Sequence, residues 1–329
     1  MTERFDPNDV RIFSGQSHPE LAQGIANHLG IPLSKTNFSR FSNDNMFIQL
    51  CDSVRGRTVY LVQSLTPPVS DHLLELFMML DIASSAAAKE VHAIIPYFSY
   101  ARSDKKNAPR ISITARLIAD LLHKSGATQV MTMTLHSPQV HGFFSIPTDP
   151  LTARGLIASH FQKYQFDPRD TIVIAPDYGR AASASRLAKQ LGLPSASAEK
   201  TRISDTEVRI GELVVRQLAG FRRVLIYDDE IATGSSVLEL CKRLKEGGIQ
   251  EIFIICTHGL FIGNALEQIS KISEVHEIVT TDTVPIPLEK RQQNLTILSV
   301  APVFGEAILL NYTRQSIGNL FAYWEDQFS

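Results

Sequence analysis

Short, unbroken apolar runs constrain the fold of this chain more than any other feature of its sequence. The runs are Thr58–Gln63, Val91–Pro96, Val130–Leu135, Thr171–Ala175, Val224–Tyr227 and Ile252–Cys256. Continuous apolarity over so few residues is typical of strands that are covered on both faces. The sequence therefore predicts sheets buried between layers of helices.

Stretches with helical spacing separate many of these runs. His72–Leu80 and Ala115–Leu122 place apolar residues on one helical face, and Val237–Lys245 runs into two consecutive glycines. Arg186–Gly192 also ends in glycine, the residue that helix C-caps favour. Alternation of strands and helices with short turns predicts an α/β fold with mostly parallel sheets.

The length of 329 residues is typical of two domains, and the strand–helix alternation runs through the chain twice. The segment Ser145–Pro150 carries two prolines and no periodicity, so we place the boundary there. The predicted domains are residues 1–148 and residues 149–329.

Charge and cysteine content limit the partners and the location that we expect. The net charge is -2, from 32 basic and 34 acidic residues, so no overall positive field attracts nucleic acid or an anionic membrane. No apolar run approaches the ~20 residues that cross a bilayer, and Met1–Pro7 does not resemble a secretory leader. The 3 cysteines form no C-x-x-C pair, which indicates a reducing, cytoplasmic compartment.

The most informative segment joins an apolar strand to two adjacent carboxylates and a loop of small residues. The predicted strand ends at Asp228 and Asp229, and the loop Ala232–Ser236 then leads into a helix. Ligands of open α/β sheets bind beyond the carboxyl ends of strands, and backbone N–H groups at a helix start bind phosphate. The segment predicts a site for a ribose phosphate, with the acids accepting hydrogen bonds from ribose hydroxyls. The alternative is a surface turn whose acidic residues cap the helix.

This order of strand, acid pair, T-G-S-S and helix resembles the PRPP-binding loop of type I phosphoribosyltransferases and of ribose-phosphate pyrophosphokinases (PRPP synthetases). Over nearly its full length the chain resembles the class I PRPP synthetase family. Motifs similar to those of the family occur in the family's order at Arg11–Ala22, Phe41–Asn45, Pro96–Lys106, Leu135–Phe144, Pro176–Gly179, Lys200–Arg202 and Ser316–Phe321.

The resemblance implies a fold of two type I phosphoribosyltransferase-like domains, each a mostly parallel sheet flanked by helices. Residues 1–148, joined by the C-terminal segment, would form the ATP side, and residues 149–329 would carry the ribose-phosphate loop and a flexible catalytic loop. The implied reaction transfers the β,γ-diphosphoryl group of Mg-ATP to the anomeric hydroxyl of ribose 5-phosphate, giving PRPP and AMP. A homo-oligomer built on dimers, such as a hexamer, is also implied.

Residue roles follow from the same resemblance. ATP would contact Phe41, Asn43, Asn45, Arg102, Ser103 and Asp104, with Phe41 stacking on adenine and Arg102 pairing with phosphates. The Mg²⁺ ligands would be His136 and Asp177, although Mg²⁺ favours oxygen over imidazole, so a contact through water or phosphate is equally open for His136. Lys200 and Arg202, with His136, would form the catalytic set. The ribose phosphate would lie against Asp228, Asp229, Ala232, Thr233, Gly234, Ser235 and Ser236.

Each of these segments also has a purely structural interpretation. Arg102–Lys106 reads as a solvated loop, His136 as a structural histidine, and Phe41 as a packed core residue. Lys200–Arg202 reads either as a lid that closes on ATP or as an exposed hairpin between strands.

Several positions depart from the family pattern. Asn45 replaces a Glu, Ser103 a Gln, Thr134 an Asp and Arg180 the second Gly of P-D-x-G-G. Ala182-Ser183 replaces a basic pair, and Ala232 and Ser235 stand in the phosphate loop D-T-G-G-T. These changes leave two alternatives open, a paralogue acting on a bulkier ribosyl phosphate such as ADP-ribose and a non-catalytic regulatory subunit. A phosphoribosyltransferase is disfavoured, since the N-terminal half would then have no role.

Overall fold

A computed structural model describes residues 5–198, 200–202, 208–210, 218 and 220–321, with the backbone alone described at 200–202 and 208–210. The described residues form two compact units. Unit 1 comprises residues 5–152, 283–285 and 299–321, and unit 2 comprises the described residues of 153–282 together with 286–298. The sequence placed the division at 148–149 and joined the C-terminal segment to the first domain.

Unit 1 is built on a parallel five-stranded sheet and carries a separate hairpin. The strands in chain order are β1 Val10–Ser14, β2 Thr36–Arg40, β3 Met46–Leu50, β4 Thr58–Val62, β5 Glu90–Ile95, β6 Gln129–Met133 and β7 Thr148–Leu151. The sheet order is β1-β4-β5-β6-β7, and β2 pairs with β3 as an antiparallel hairpin. Every residue of β4 is buried, which explains its unbroken apolar sequence.

Three helices follow the strands of unit 1, namely α1 Pro19–Leu29, α2 Val69–Ser85 and α3 Thr114–Lys124. The apolar faces of α2 and α3 pack on β4, β5 and β6 in one core, which includes Leu76, Leu80 and Ile118. The predicted helices His72–Leu80 and Ala115–Leu122 are confirmed and extend by between one and five residues at each end.

Unit 2 is a parallel six-stranded sheet with a second hairpin. Its strands are β8 Thr171–Ala175, β9 Ser195–Ser197, β10 Lys200–Arg202, β11 Val208–Ile210, β12 Arg223–Ile231, β13 Glu251–Gly259, β14 Val275–Thr281 and β15 Leu295–Leu298. The order is β15-β14-β13-β12-β8-β9, and β10 pairs antiparallel with β11. The α-helices in its described stretches are α4 Arg154–Phe161, α5 Ala181–Leu191, α6 Ser235–Glu246 and α7 Ala265–Ser270.

Glycine ends α5 as the sequence predicted. Gly192 has φ +68° and its N–H donates to the carbonyls of Ala188 and Lys189. This left-handed C-cap satisfies carbonyl groups that the helix leaves without intrahelical donors.

The last helix, α8 Ala301–Tyr312, packs on α1 in unit 1. Small residues allow the close approach, since a Cβ at Gly24 would lie 2.9 Å from the Cβ of Ala301 and one at Gly305 would overlap the ring of His28. Of the helices in the described stretches, none is long and apolar enough to cross a bilayer.

One prediction about unit 2 was wrong. The sequence ends the strand at the acid pair, yet β12 continues through both acids to Ile231. The reason is the neighbouring strand β13, which pairs with β12 as far as Ile231↔Gly259. Backbone hydrogen bonds to one neighbour therefore hold Asp228 and Asp229 in extended backbone although both side chains are carboxyl groups.

Candidate functional site

The sheet of unit 2 opens on one side of β12 just before the acid pair. Pairing between β12 and β8 stops at Ile226↔Ile174, whereas pairing with β13 continues past the acids. Strand β8 ends at Ala175, and residues 176–180 form the connection to α5. Because β8 and β12 are parallel neighbours, their carboxyl ends bring this connection beside Asp228 and Asp229.

Arg180 lies against the acid pair. Its Nε is 3.0 Å from Oδ1 of Asp229 and 3.9 Å from Oδ1 of Asp228. The three side chains are largely buried, with exposed fractions of 12% for Arg180, 16% for Asp228 and 4% for Asp229. Oδ1 of Asp228 also accepts a hydrogen bond of 2.8 Å from the backbone N–H of Asp229.

The pKa of Asp228 is raised well above its ordinary value. Burial is the largest cause, and the negative charges of Asp229 and Asp177 add to it, while the Arg180 guanidinium acts in the opposite direction. Asp177 therefore belongs to the same electrostatic cluster as Asp228, as expected from its position after β8.

The loop after β12 is held in place by backbone hydrogen bonds. The N–H of Ile262 donates to the carbonyl of Ala232 (2.9 Å), and the N–H groups of Leu260 and Phe261 donate to Ile231. Gly234 has φ +73°, and a Cβ there would lie 3.1 Å from Cδ1 of Ile269. Glycine is thus favoured both by the backbone conformation and by the close approach of Ile269 on α7.

Helix α6 begins directly after this glycine. Its first residues are Ser235 and Ser236, and the first turn closes with the N–H of Leu238 donating to the Gly234 carbonyl (2.9 Å). The start of a helix favours an anion, because the N–H groups of the first turn point out of the helix and the helix dipole is positive there. The side chains of Thr233 and Ser235 lie 3.2 Å apart through their hydroxyl oxygens and add polar contacts at the same place.

In unit 1, the predicted ATP residues after β5 lie on a turn. Arg102 ends the 3₁₀ turn Ser99–Arg102 and is exposed. Ser103 anchors the turn to the start of α3, because its Oγ accepts from the N–H of Thr114 (3.2 Å) and its carbonyl from Ala115 (3.2 Å). Asp104 follows and is partly buried. The turn therefore lies at the carboxyl end of β5.

His136 follows the next strand, β6, and is partly buried. The chain leaves β6 through Thr134, which has φ +44°, an unusual value for a β-branched residue. The N–H of Thr134 donates to Leu151 of β7 (2.9 Å), so the neighbouring strand helps to hold this conformation.

Phe41, Asn43 and Asn45 form the turn of the β2–β3 hairpin. The N–H of Phe41 donates to the Asn45 carbonyl (2.9 Å), and Asn43 Oδ1 accepts from the N–H of Asn45 (3.3 Å). Phe41 is 58% exposed and lies edge-on to Phe47, with ring centroids 5.9 Å apart. The interpretation of Phe41 as a packed core residue is therefore wrong.

Lys200 and Arg202 lie on β10, which pairs with β11 through Lys200↔Ile210 and Arg202↔Val208. The two described segments thus form an antiparallel pair of strands, which fits both the lid and the hairpin that the sequence left open. Their side chains lie outside the described residues, so their catalytic roles stay predictions.

The sequence did not predict the contact of Arg180 with the acid pair. It identified Arg180 only as a departure from a glycine, although the parallel neighbours β8 and β12 were both predicted as strands. The missing information was their adjacency in the sheet, which the order of strands along the chain does not give.

The carboxylates at this edge supply oxygen donors, which Mg²⁺ prefers. Across the part of the chain that the structure describes, no group of three or more His, Cys, Asp or Glu side chains is arranged to hold a metal ion. A single carboxylate such as Asp177 fits a magnesium ion that brings most of its ligands with it, such as one bound by the phosphates of a nucleotide.

Parallel sheets with carboxylates, basic residues and a helix start at their carboxyl ends define an α/β protein of the class that binds phosphorylated ligands. Residues 10–126 match the family model of the N-terminal domain of ribose phosphate pyrophosphokinase, and residues 209–322 match that of the phosphoribosyl synthetase-associated domain. The chain belongs to the ribose-phosphate pyrophosphokinase family, as the sequence motifs predicted.

Relatives and a solved structure match over the whole length. The ribose-phosphate pyrophosphokinase of Deinococcus radiodurans is 44% identical over 324 residues, covering 98% of this chain and 100% of the relative. That of Oceanobacillus iheyensis is 39% identical over 321 residues, with coverage of 98% and 100%. The crystal structure of phosphoribosylpyrophosphate synthetase from Mycobacterium smegmatis superposes with a TM-score of 0.84 at 32% identity, covering 93% of this chain and 99% of that one.

Proposed function

We propose that the protein is an ATP-dependent ribose-phosphate pyrophosphokinase, which converts ribose 5-phosphate and Mg-ATP to PRPP and AMP. The observation that carries the proposal is the position of the family's motifs. In both units they follow the carboxyl ends of adjacent parallel strands, β5 and β6 in unit 1 and β8 and β12 in unit 2. Sequence identity of 44% and 39% to two ribose-phosphate pyrophosphokinases, over 98% of this chain, supports the same activity.

The acceptor sugar phosphate is assigned to unit 2. Asp228 and Asp229 would accept hydrogen bonds from the ribose hydroxyls, since ionised carboxylates bind hydroxyls strongly. The 5-phosphate would bind the N–H groups and hydroxyls of Thr233–Ser236 at the start of α6. Ala232 offers no side-chain acceptor here, so recognition of the sugar depends on the acid pair.

The nucleotide is assigned to the motifs of unit 1 and to the β10–β11 hairpin. Phe41, exposed on its hairpin turn, would stack on adenine, with Asn43 and Asn45 at the polar edge of the base. Arg102 would pair with the phosphates, with Ser103 holding its turn against α3. Lys200 and Arg202 would add positive charge to the polyphosphate in the transition state.

The reaction forms a bond between the anomeric oxygen and the β-phosphorus of ATP and breaks the bond between that phosphorus and the α,β-bridging oxygen. The electron pair of the broken bond leaves with AMP, and the proton of the anomeric hydroxyl is released to water. Phosphoryl-transfer catalysis consists mostly of positioning and charge neutralisation. Cationic side chains and oriented N–H groups are therefore the contributions we assign to this chain.

Magnesium would enter with ATP. Asp177 is the oxygen ligand that we assign to it, and His136 would reach it through water or a phosphate oxygen. The ion would neutralise charge on the phosphates.

We also propose a homo-oligomer built on dimers and a cytoplasmic location. The exposed aromatic pair Phe41 and Phe47 at the hairpin turn supports a contact with a second subunit. Cys51, Cys241 and Cys256 carry free thiols, which suits a reducing compartment. Light scattering on the purified protein measures the oligomer size.

An acceptor panel tests the substrate assignment. The purified protein is incubated with Mg-ATP and either ribose 5-phosphate or ADP-ribose, and AMP is quantified by chromatography. We expect AMP with ribose 5-phosphate. AMP release only with ADP-ribose would show that ADP-ribose, and not ribose 5-phosphate, is the acceptor. No AMP release with either compound would contradict catalysis by this chain.

Lys200→Ala should lower kcat by about 1,000-fold, because it removes a cation assigned to the transition state. Lys189→Ala is the matched control, since Lys189 is exposed on α5 and has no assigned role. Equal activity of both variants would exclude a catalytic role for Lys200.

A further inference from the structure

The guanidinium of Arg180 lies against the acid pair Asp228 and Asp229 of unit 2. Arg180 places Nε 3.0 Å from Asp229 and 3.9 Å from Asp228, and its side chain is only 12% exposed. It ends the 3₁₀ turn Tyr178–Arg180 and directly precedes α5, so the turn and the helix both fix its backbone. The family motif P-D-x-G-G has glycine at this position, which carries no side chain.

A guanidinium and a divalent cation would compete for the same carboxylate oxygens. Asp228 and Asp229 are adjacent, largely buried, and within electrostatic reach of Asp177. Clustered carboxylates attract Mg²⁺ or Mn²⁺, whereas a guanidinium held among them repels a second cation. An arginine is charged at every physiological pH, so its occupation of the pair does not depend on metal concentration.

We propose that Arg180 is the resident counter-cation of the acid pair and takes the place of a divalent ion at Asp228 and Asp229. The acids are then held in place for the hydroxyls of the acceptor without a metal of their own. Arg180 is thus a positioning residue that determines which cation the acceptor site uses. The identity of the acceptor rests on the proposed function, but the exclusion of metal does not.

Metal binding tests the inference directly. Mn²⁺ is titrated into the protein without nucleotide, and free Mn²⁺ is measured by electron paramagnetic resonance. Arg180→Met should bind about one more Mn²⁺ per chain than the unmodified protein, because two adjacent carboxylates lose their counter-cation. The double variant R180M/D229N should lose the additional site.

Arg169→Met is the matched control. It also removes one arginine from an ion pair in unit 2, but that pair, with Asp167, is exposed. No additional Mn²⁺ should bind to it. An additional site in Arg169→Met would attribute the effect to net charge alone and overturn the inference.

A second variant is needed in case Arg180→Met does not fold. Arg180→Gln also removes the charge but keeps a polar side chain, and circular dichroism identifies which variants are folded. The inference is overturned if neither folded variant binds additional Mn²⁺. It is supported if either does and Arg180→Lys, which keeps the charge, does not.

A kinetic measurement separates this inference from the proposed function. With Mg-ATP saturating, the rate of AMP formation by the unmodified protein should depend little on additional free Mg²⁺, whereas Arg180→Met should require it. An additional Mn²⁺ site in a protein without any AMP formation would contradict the proposed function alone. AMP formation with an unchanged metal count in the variants would contradict the role of Arg180 alone.

Discussion

At the scale of single residues, Asp228 combines a functional position with a cost to stability. Its pKa is raised, first by burial and then by neighbouring acids, so the folded protein holds a proton there more tightly than the unfolded chain does. Between the ordinary pKa of 3.8 and the raised one, stability therefore falls as the pH rises, and the loss is complete above the raised pKa. Ligand-binding residues often carry such a cost.

Asp228→Asn should therefore raise the stability of the ligand-free protein by about 1 kcal/mol at pH 8. The gain should be smaller at pH 5, where the native Asp228 is closer to its protonated form. Activity should fall by between about 10-fold and 100-fold, because the carboxylate that accepts hydrogen bonds from the sugar hydroxyls is lost. Thermal unfolding at both pH values and AMP formation measure the two effects.

Asp167→Asn is the control for this prediction. Asp167 has its pKa lowered to about 2 by hydrogen bonds from Arg169, and it is exposed. Its contribution is present above the ordinary pKa and disappears in acid, so the variant should show no change between pH 6 and pH 8. A loss of stability in Asp228→Asn at pH 8 would contradict our assignment of the raised pKa.

Thr134 has a backbone conformation that is unusual for a β-branched residue. With φ +44° it occupies the left-handed region, which asparagine tolerates better than a β-branched residue. Thr134→Asn should stabilise the protein by about 1 kcal/mol in denaturant unfolding. Thr134→Val keeps the branched Cβ and should show no gain, and equal effects of the two substitutions would exclude backbone strain as the cause.

Sequence alone placed Asp177 and the hydroxyl loop directly after strands, because residue type and local order determine those positions, but it ended β12 too early, at the acid pair. It could not give the ion pair between Arg180 and Asp229. That contact depends on β8 lying beside β12, and the two strands are separated in the chain by α5, β9 and the β10–β11 hairpin.

At the scale of elements, the connection between β12 and α6 is constrained both by the conformation of Gly234 and by its packing on α7. Gly234 has φ +73°, and a Cβ added there would lie 3.1 Å from Cδ1 of Ile269 in α7. Gly234→Ala should cost about 1 kcal/mol of stability and raise KM for ribose 5-phosphate, since the start of α6 would shift. Unfolding and steady-state kinetics measure both quantities.

Gly155→Ala is the matched control, because Gly155 is in α4 with open space at its Cβ position and ordinary φ. Alanine favours the helix interior, so this substitution should be neutral or stabilising. If Gly234→Ala behaved like Gly155→Ala, the loop conformation would not matter for the site.

Element type was the most predictable property of this chain. The apolar runs identified strands of both sheets because buried parallel strands need no polar face. The end of β12 could not be read in the same way, since pairing with β13 outweighs the charge of the acids that follow the apolar run.

At the scale of the whole molecule, the chain returns to unit 1 with its last helix. α8 packs on α1 across a long sequence separation, and Gly24 allows the approach to Ala301. Gly24→Val should destabilise unit 1 by about 1–3 kcal/mol through overpacking. In hydrogen exchange, α1 and α8 should exchange faster while β12 and β13 keep their protection.

Gln23→Val is the control, since Gln23 is exposed on the same helix and tests the effect of a β-branched residue alone. Faster exchange spread equally over both units would contradict the division of the chain into two separately packed units. No local sequence pattern predicts the α1–α8 contact, because each helix shows only that it has an apolar face.

In the proposed reaction, this chain moves a diphosphoryl group as one piece. Phosphorus NMR of a mixture of the protein, Mg-ATP and ribose 5-phosphate tests it most directly. We predict that AMP appears together with an equal amount of a new diphosphate, whose two coupled phosphorus signals belong to a group attached to the sugar. Formation of ADP with a sugar bisphosphate, or ATP that stays unchanged, would contradict the account.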